Sequence, residues 1–443
     1  IDPEDGVAYT KEELFAYYKG TYKKKALESY WEDCKVVKSK KKSKGKAKPE
    51  PETKPKKKKG EAAKAESKAK AKPKAKAKAK AKAKAAAKKT AGPFKVCVCG
   101  GAGGIGQPLS LLMAMDPNVK ELNIFDLSVA AVPPAGVAED LSHLEKGVTV
   151  KGFVMEVGKS PIDHLEECLT GCNLVLIPAG MPRKPGMTRD DLFKTNADIA
   201  KGLVEACGKF CPDAMVAMIV NPVNSIVPAM AELYKKKGLD PSKIVGVTTL
   251  DCVRANKFVG NMTGKNPNYI NVPVVGGHAG TTILPLFSQD KAGATIEAEK
   301  IPDLDKKVQD AGTDVVNAKG GKGSATLSMA YAGARLGKSI LAGLAGRRRT
   351  ECAYVKSDAM EGFAYFTSKV VFGPKGVTKV LPLGKLSEHE EKRLAEAKEQ
   401  LKTEIESGLK YAETNDLACP ERKVEEEKPK EEEKKAEETP AES

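Results

Sequence analysis

The stretch Val96–Gly106, VCVCGGAGGIG, decides the fold class of this 443-residue chain. A short apolar, β-favouring segment runs into five glycines within seven residues, and a helix-favouring segment from Gln107 to Met115 follows. Glycine allows positive φ and lets a ligand approach where a Cβ would collide, and a helix start offers free N–H groups to a phosphate. The stretch therefore predicts a strand, a tight turn and a helix that bind a phosphate, although a glycine-rich hairpin or loop would share the pattern.

An acidic residue downstream strengthens this interpretation. The glycines fit two dinucleotide-binding registers, which begin at Gly100 or at Gly101, and residues 121–126 read as a second strand that ends at Asp126. Asp126 lies 20 residues after Gly106, where a carboxylate binds the ribose hydroxyls of NAD and repels the 2′-phosphate of NADP. The residues thus predict dinucleotide binding, with NAD as the cofactor.

Apolar strands alternate with helices further along the chain. Residues 173–180 and 215–220 read as strands, and residues 196–210 and 225–237 read as helices. Near-continuous apolar strands separated by helices predict a doubly wound parallel sheet of the α/β class. Because such sheets bind ligands at the carboxyl ends of their strands, we expect the glycine turn, Asp126 and the loops after the later strands to meet there.

The net charge of +16 comes from the N-terminal part of the chain. Residues 1–92 carry 30 Lys and Arg against 12 Asp and Glu, whereas residues 93–419 carry 39 against 37. The composition predicts a disordered Lys/Ala-rich linker at 38–92 and a charged disordered tail at 416–443. The linker is either a solvated spacer or a non-specific contact for a polyanion, such as nucleic acid or an anionic membrane.

Residues 1–37 form a separate segment that is rich in aromatic side chains. A capping-box pattern at residues 10–13 precedes a predicted helix that begins at Leu14 and ends near Lys35. This short helical module either packs within the chain or docks on an unknown protein partner.

The cysteines favour reduced thiols over a metal site. The chain has ten cysteines and no apolar run that approaches the ~18 residues of a membrane span. Three closely spaced pairs occur, without a second Cys-x-x-Cys or a His pair to complete a zinc pattern: Cys97/Cys99, Cys168/Cys172 and Cys207/Cys211. We therefore predict buried thiols, no metal and a reducing compartment.

Three arginines are candidates for binding carboxylates. Arg183 and Arg189 lie in the loop 181–190, MPRKPGMTRD, and Arg254 lies three residues after Asp251 on one face of a predicted helix. Arginine binds carboxylates with two parallel hydrogen bonds. Taken alone, the loop is equally typical of an exposed basic surface.

His278 stands out among the four histidines of the chain. It follows an apolar segment and is surrounded by glycines in GGHAG at 276–280. Imidazole suits proton transfer near neutral pH, and a carboxylate partner would fix its tautomer. From the residues alone, His278 is either a general base or a structural loop histidine.

Six motifs together resemble one enzyme family. They are GGAGGIGQPL at 100–109, MPRKPGMTRDDL at 181–192, NPVN at 221–224, TTLDCVRAN at 248–256, GGHAG at 276–280 and GSATLSM at 323–329. From about Phe94 to Tyr411, their order and spacing resemble the NAD-dependent malate dehydrogenases of the mitochondrial and bacterial-type dimeric branch. The resemblance implies a Rossmann-type NAD-binding domain at 93–246, an α+β catalytic domain at 247–415, and a homodimer. It also favours a mitochondrial location, with the cytosol or another reducing organelle as alternatives.

The resemblance implies reversible oxidation of L-malate to oxaloacetate, and it assigns roles to matching positions. His278 would be the general base, paired with Asp251, and the loop 181–190 would close over the substrate. The residues expected to bind the substrate are Arg183, Arg189, Asn221 and Arg254. Those expected to bind NAD are Gly100, Gly103, Gly104, Ile105, Gly106, Asp126, Asn196, Asn221 and Met329. Arg183 occupies the position where lactate enzymes carry an uncharged residue, which implies a dicarboxylate substrate.

Overall fold

The computed structural model describes residues 94–181 and 189–422. The predicted helical module at 1–37, the linker at 38–92, Arg183 and most of the predicted tail lie outside these residues, as do the side chains of Arg189 and Asp190.

Eleven strands within the described ranges form one sheet. They are β1 (Phe94–Cys99), β2 (Val119–Leu127), β3 (Thr149–Met155), β4 (Leu174–Ile177), β5 (Met215–Met218), β6 (Ile244–Gly246), β7 (Val274–Gly276), β8 (Ile283–Pro285), β9 (Arg349–Lys356), β10 (Tyr365–Gly373) and β11 (Gly376–Val380). The helices are α1 (Gly106–Ala114), α2 (Pro134–Ser142), α3 (Pro161–His164), α4 (Glu166–Leu169), α5 (Arg189–Phe210), α6 (Val223–Lys236), α7 (Thr249–Thr263), α8 (Ile301–Ala318), α9 (Leu327–Leu344) and α10 (Glu388–Thr414).

The first six strands pair in parallel in the order β3-β2-β1-β4-β5-β6. This is the strand order of a Rossmann-type doubly wound sheet, so the predicted fold of the first half is confirmed. The sheet continues through β9, β10, β7 and β8 with antiparallel pairs, and β11 pairs with β10. The second half is therefore the predicted mixture of helices and antiparallel strands.

Helices cover both faces of the parallel sheet, which explains the uninterrupted apolar character of its strands. In β1, Val96 and Val98 pack in one core layer with residues of α1 and α9, while Cys97 and Cys99 pack in the opposite layer with residues of α5 and α6. All four side chains are fully buried. A polar residue at any of these positions would face a helix rather than water.

The described cysteines form no disulfide, and all nine of them are buried. Cys97 lies with its Sγ 3.5 Å from the Sγ of Cys168, and burial raises the pKa of the nearby Cys172 thiol. Among residues 94–181 and 189–422, no cluster of three or more His, Cys, Asp or Glu side chains is arranged to hold a metal ion. No helix in the same ranges is long and apolar enough to cross a membrane.

The structure differs from the predicted boundary at the start of the charged tail. Leu417 and Cys419 are each 2% exposed, and the Ala418 N–H donates a hydrogen bond to Glu205. Arg422 forms an ion pair with Asp213 at 2.7 Å. Asp416 forms a second ion pair, with Lys237 at 2.9 Å. Residues 416–422 therefore pack on the folded body through two buried side chains and two ion pairs.

Candidate active site

The glycine turn between β1 and α1 has a packed side and an open side. Gly100 adopts φ +95°, and a Cβ there would lie 2.7 Å from the backbone nitrogen of Ala179. A Cβ on Gly101 would lie 2.6 Å from Cγ2 of Ile124, whereas a Cβ on the exposed Gly104 would meet only Thr326, at 3.4 Å. The first two glycines are thus required by packing, and Gly104 leaves backbone open to a ligand.

Polar groups at this turn match two polar parts of a dinucleotide cofactor, the ribose hydroxyls and the phosphates. Oδ2 of Asp126 accepts a hydrogen bond from the Ala102 N–H at 3.0 Å, and Oδ1 accepts one from the Leu127 N–H at 2.9 Å. The carboxylate keeps lone pairs for two ribose hydroxyls, since it offers about four acceptor sites. The N–H groups of Gly104 and Ile105 donate to no other described group, so they are available to a phosphate. The residues therefore fit NAD.

Asn196 connects two of the loops that follow the strands. Its buried side chain accepts a hydrogen bond from the Met181 N–H at 2.8 Å and donates to the Met181 and Asn221 carbonyl oxygens at 3.2 and 2.7 Å. The family resemblance implies a cofactor role for Asn196, and in the structure its side chain bonds to backbone groups of both loops. Asn221 itself is exposed at the start of α6, and Met329 is buried in α9 against the core.

The imidazole of His278 contacts a buried carboxylate. Its Nδ1 lies 2.6 Å from Oδ2 of Asp251, a residue of α7 whose side chain is fully buried. Since a carboxylate accepts, Nδ1 carries the proton and its N–H donates a hydrogen bond to Asp251. The Nε2 lone pair of the neutral ring has no partner among the described residues, so it is available to a substrate hydroxyl.

Arg254 lies beside the same carboxylate. Its Nη1 is 3.7 Å from Oδ1 of Asp251, and its side chain is 13% exposed. Burial lowers the pKa of the Arg254 guanidinium, while the carboxylates of Asp251 and Asp314 act against that shift. Of the other two candidate arginines, Arg183 lies outside the described residues and Arg189 begins α5. The structure thus brings together Arg254, Asp251 and His278.

A residue without a predicted role links these groups to the loop at Asn221. The side chain of Asn224 is 1% exposed, and its Oδ1 accepts the backbone N–H of His278 at 2.8 Å. Its Nδ2 donates to Oγ1 of Thr282 at 3.1 Å. Asn224 is the last residue of the NPVN motif. This motif is the sequence signal that could have identified Asn224 as a functional residue. The contact joins residues 54 positions apart, which no local pattern reveals.

The other described histidines lack this arrangement. His143 and Glu139 form an exposed surface pair. His389 lies 3.2 Å from the buried Asp305, but the same carboxylate oxygen also accepts a hydrogen bond from Arg393 at 2.8 Å. His389 therefore shares its carboxylate oxygen with an arginine, whereas Oδ2 of Asp251 contacts the imidazole of His278 alone among the described residues. His164 Nδ1 lies 3.0 Å from the backbone carbonyl oxygen of Ser160, so it has no carboxylate partner there. His278 is thus the best candidate for a general base.

The part of the chain that the structure describes is similar to known proteins over most of its length. The family model for the lactate/malate dehydrogenase NAD binding domain matches residues 94–246, and that for the lactate/malate dehydrogenase alpha/beta C-terminal domain matches residues 248–412. The chain is 50% identical over 322 residues to the mitochondrial malate dehydrogenase of Pongo abelii, which covers 72% of this chain and 92% of the relative. It is also 50% identical over 327 residues to the glyoxysomal malate dehydrogenase of Cucumis sativus, covering 73% and 89%.

A solved structure shares the fold. The apo malate dehydrogenase of Picrophilus torridus superposes with a TM-score of 0.62 at 25% identity, over 72% of this chain and 98% of that one.

Proposed function

The chain belongs to the lactate/malate dehydrogenase family, and we propose that His278 is the general base of its reaction, the reversible NAD-dependent oxidation of L-malate to oxaloacetate. The observation that carries the assignment is the 2.6 Å contact between His278 Nδ1 and the fully buried carboxylate of Asp251. That contact fixes the tautomer in which Nε2 faces the substrate, and it stabilises the imidazolium that forms when the proton is taken.

The proposed chemistry divides between the cofactor and the protein. NAD, when bound, supplies the nicotinamide ring that accepts the hydride. His278 Nε2 takes the hydroxyl proton of malate, and in the reverse direction the protonated ring returns it to the oxygen of oxaloacetate. The carboxylate of Asp251 lies against the ring, where it pairs with the positive charge that develops on the imidazole.

Arginines are proposed to hold the two carboxylates of the substrate. Arg254 is supported by its position beside Asp251 and by a side chain that is mostly shielded from water. For Arg183 and Arg189 the support is the match of the motif at 181–192. A guanidinium recognises a carboxylate with two hydrogen bonds, so three arginines favour a dicarboxylate over a monocarboxylate. Asn221 is proposed to contact both the substrate and the nicotinamide.

The remaining cofactor residues divide by what they contact. The N–H groups of Gly104 and Ile105 are proposed to bind the pyrophosphate, which the exposed Gly103 lets approach, and Asp126 is proposed to bind the adenosine ribose. Gly100 and Gly106 support that turn by packing. Asn196 and Met329 are proposed to shape the nicotinamide end, the former through its hydrogen bonds to the Asn221 loop.

The test is steady-state oxidation of NADH with oxaloacetate, for the full chain and for His278→Asn. We expect turnover by the wild-type chain and a fall in kcat of about 10²–10⁴-fold in the variant, the usual contribution of a general acid–base group. A wild-type chain without turnover would rule out the proposed function. Comparing kcat/KM for oxaloacetate and pyruvate separates it from the lactate-type alternative.

We further propose that the chain forms a homodimer. Helices α1 and α9 pack against each other. The support is a set of exposed apolar side chains that lie on these helices or directly after α1: Leu111, Met115, Leu327 and Tyr331. Large exposed apolar side chains on neighbouring elements are typical of subunit interfaces. Sedimentation of the wild-type chain and of Tyr331→Asp tests this, since only the wild-type should sediment as a dimer.

Three further assignments remain proposals. The chain is proposed to divide into the NAD-binding domain at 93–246 and the catalytic domain at 247–415, and to reside in mitochondria. Residues 1–92 are proposed to bind polyanions or a protein partner. A salt-sensitive mobility shift that is lost on deletion of residues 1–92 would support polyanion binding, and cell fractionation tests the location.

A further inference from the structure

The loop that carries His278 is held by one face of the C-terminal helix α10. Arg393 Nη2 donates to the carbonyl oxygen of Thr281 at 3.0 Å, and Gln400 Oε1 accepts from the Thr281 hydroxyl at 2.6 Å. Arg393, Gln400 and Glu404 are spaced seven and four residues apart, so they lie on one face of the helix. Helix α10 therefore contacts the loop at several points along its length.

Glu404 reaches the loop through Asn224. Asn224 Nδ2 donates to Glu404 Oε2 at 2.7 Å, while its Oδ1 accepts the backbone N–H of His278. A carboxylate can only accept, so it requires the NH₂ end of the Asn224 amide to face α10. The oxygen end must then face His278. A flipped amide would place an oxygen against the carboxylate and an NH₂ group against the His278 N–H.

The backbone of the loop packs closely on Asn224. A Cβ on Gly277 would lie 2.4 Å from Asn224 Nδ2 and 2.5 Å from Thr282 Oγ1, so the backbone of the loop packs directly on these groups. The Thr282 hydroxyl donates to the Ala279 carbonyl at 2.7 Å and accepts from the Ala279 N–H at 3.0 Å. The peptide groups on both sides of His278 are thus fixed by the same small network.

We propose that Glu404 is a positioning residue for the reaction, which acts through Asn224 to set the backbone position of His278. The inference rests on the proposed role of His278 as general base. Glu404 acts from the far side of the Asn224 amide, and the 2.6 Å contact of His278 with Asp251 depends on where the loop places the ring. A displacement of about 1 Å at a reacting group costs up to 10²-fold in rate.

The experiment compares three single variants of the full chain in steady-state oxidation of NADH by oxaloacetate. In Glu404→Ala we expect kcat to fall about 10- to 100-fold, with the affinity for NADH, measured by fluorescence, unchanged. In Glu404→Gln the side-chain oxygen can still accept from Asn224, and we expect kcat within about 3-fold of wild type. Glu399→Ala is the matched control, because Glu399 is an exposed residue of the same helix.

A second test exchanges the carboxylate and the amide between positions 224 and 404. It remains valid even if Glu404→Ala fails to fold. Asn224→Asp keeps the acceptor for His278 but turns a carboxylate towards Glu404, so kcat should fall. Adding Glu404→Gln restores a hydrogen-bond donor opposite the new carboxylate. The kcat of the double variant should therefore be at least about 3-fold higher than that of Asn224→Asp alone.

Three results would overturn the inference. The first is a kcat in Glu404→Ala within about 2-fold of wild type. The second is an equal loss in Glu404→Ala and Glu404→Gln together with lost NADH binding, which indicates general damage. The third is an Asn224→Asp variant that Glu404→Gln does not rescue. Each result is informative only if the wild-type chain turns over, because an inactive wild-type chain would rule out the proposed function itself.

Discussion

Arg254 and Asp251 lie one turn apart on α7, with Nη1 of the arginine 3.7 Å from Oδ1 of the carboxylate. The other oxygen of Asp251 contacts His278 at 2.6 Å. Oδ1 has no hydrogen-bond partner among the described residues, so Arg254 supplies the nearest compensating charge. One buried carboxylate therefore orients the candidate base and pairs with the candidate substrate arginine.

Arg254→Lys should lower the catalytic efficiency with oxaloacetate without unfolding the chain. A lysine keeps the positive charge near Asp251 but cannot form two parallel hydrogen bonds with a substrate carboxylate. We expect kcat/KM for oxaloacetate to fall about 10- to 100-fold, because this is the usual contribution of a hydrogen-bonded pair of charged groups to binding. Steady-state kinetics measures this, with Arg348→Lys as control because Arg348 is exposed. Equal kinetics in the two variants would contradict the assignment.

Asp126→Ser should relax the preference for NADH over NADPH. Serine can still accept the Ala102 N–H hydrogen bond, but it removes the charge that repels a 2′-phosphate. We expect the ratio of kcat/KM for NADPH to that for NADH to rise at least about 10-fold. An unchanged ratio would mean that another group selects the cofactor.

Alanine substitutions at Gly104 and Gly101 should have different effects, one on the affinity for NADH and the other on thermal stability. In Gly104→Ala the new Cβ meets only Thr326, at 3.4 Å, so thermal stability should stay near wild type while the Kd for NADH rises about 10-fold or more. In Gly101→Ala the Cβ would lie 2.6 Å from Ile124, so Tm should fall. Tight NADH binding by Gly104→Ala would show that the cofactor avoids this part of the turn.

Asp290 should stabilise the fold in a pH-dependent way. Burial acts to raise its pKa, but hydrogen bonds from the N–H groups of Asn271, Ala292 and Gly293 outweigh it and hold the pKa below the ordinary value. A lowered folded-state pKa contributes stability that is present above the unfolded value of about 3.9 and is lost as pH falls through the folded-state value. Asp290→Asn should therefore lower the free energy of unfolding by about 1 kcal/mol at pH 7.

Urea unfolding at several pH values measures this effect. The difference between wild type and Asp290→Asn should shrink below pH 4, in the range where Asp290 takes up its proton. Asp310→Asn is the control, because Asp310 forms an exposed pair with Lys306 that should contribute little. A difference that does not vary with pH would argue against a lowered pKa at Asp290.

The first half of the fold was predictable because its signals are local. The glycine turn after β1, the acid at the end of β2 and the alternation of buried strands with helices each occupy a short window of sequence. Parallel pairing then follows from the connections, and it brings the strand ends together. Arg254 and Asp251 share a helix face for the same reason, since their spacing of three residues is visible in the sequence.

The hydrogen-bond network around His278 was not predictable in the same way. Asn224, Thr282 and Glu404 come from three elements, and the contact of Asn224 with Glu404 spans 180 positions. Asn224 ends the NPVN motif, but the motif does not reveal its partner, and Glu404 is one of many charges on α10. The packing of residues 416–422 was missed because their charged neighbours hide Leu417 and Cys419.

The dependence of the His278 loop on α10 also bears on the order in which the protein is assembled during synthesis. Chains fold from the N-terminus as they emerge from the ribosome, and all six parallel strands precede residue 247. The loop at 277–282 lacks its contacts to Arg393, Gln400 and Glu404 until almost the whole body has been translated. A nascent or prematurely terminated chain that ends before α10 would therefore carry a cofactor-binding half, while His278, the proposed general base, lacks part of its support.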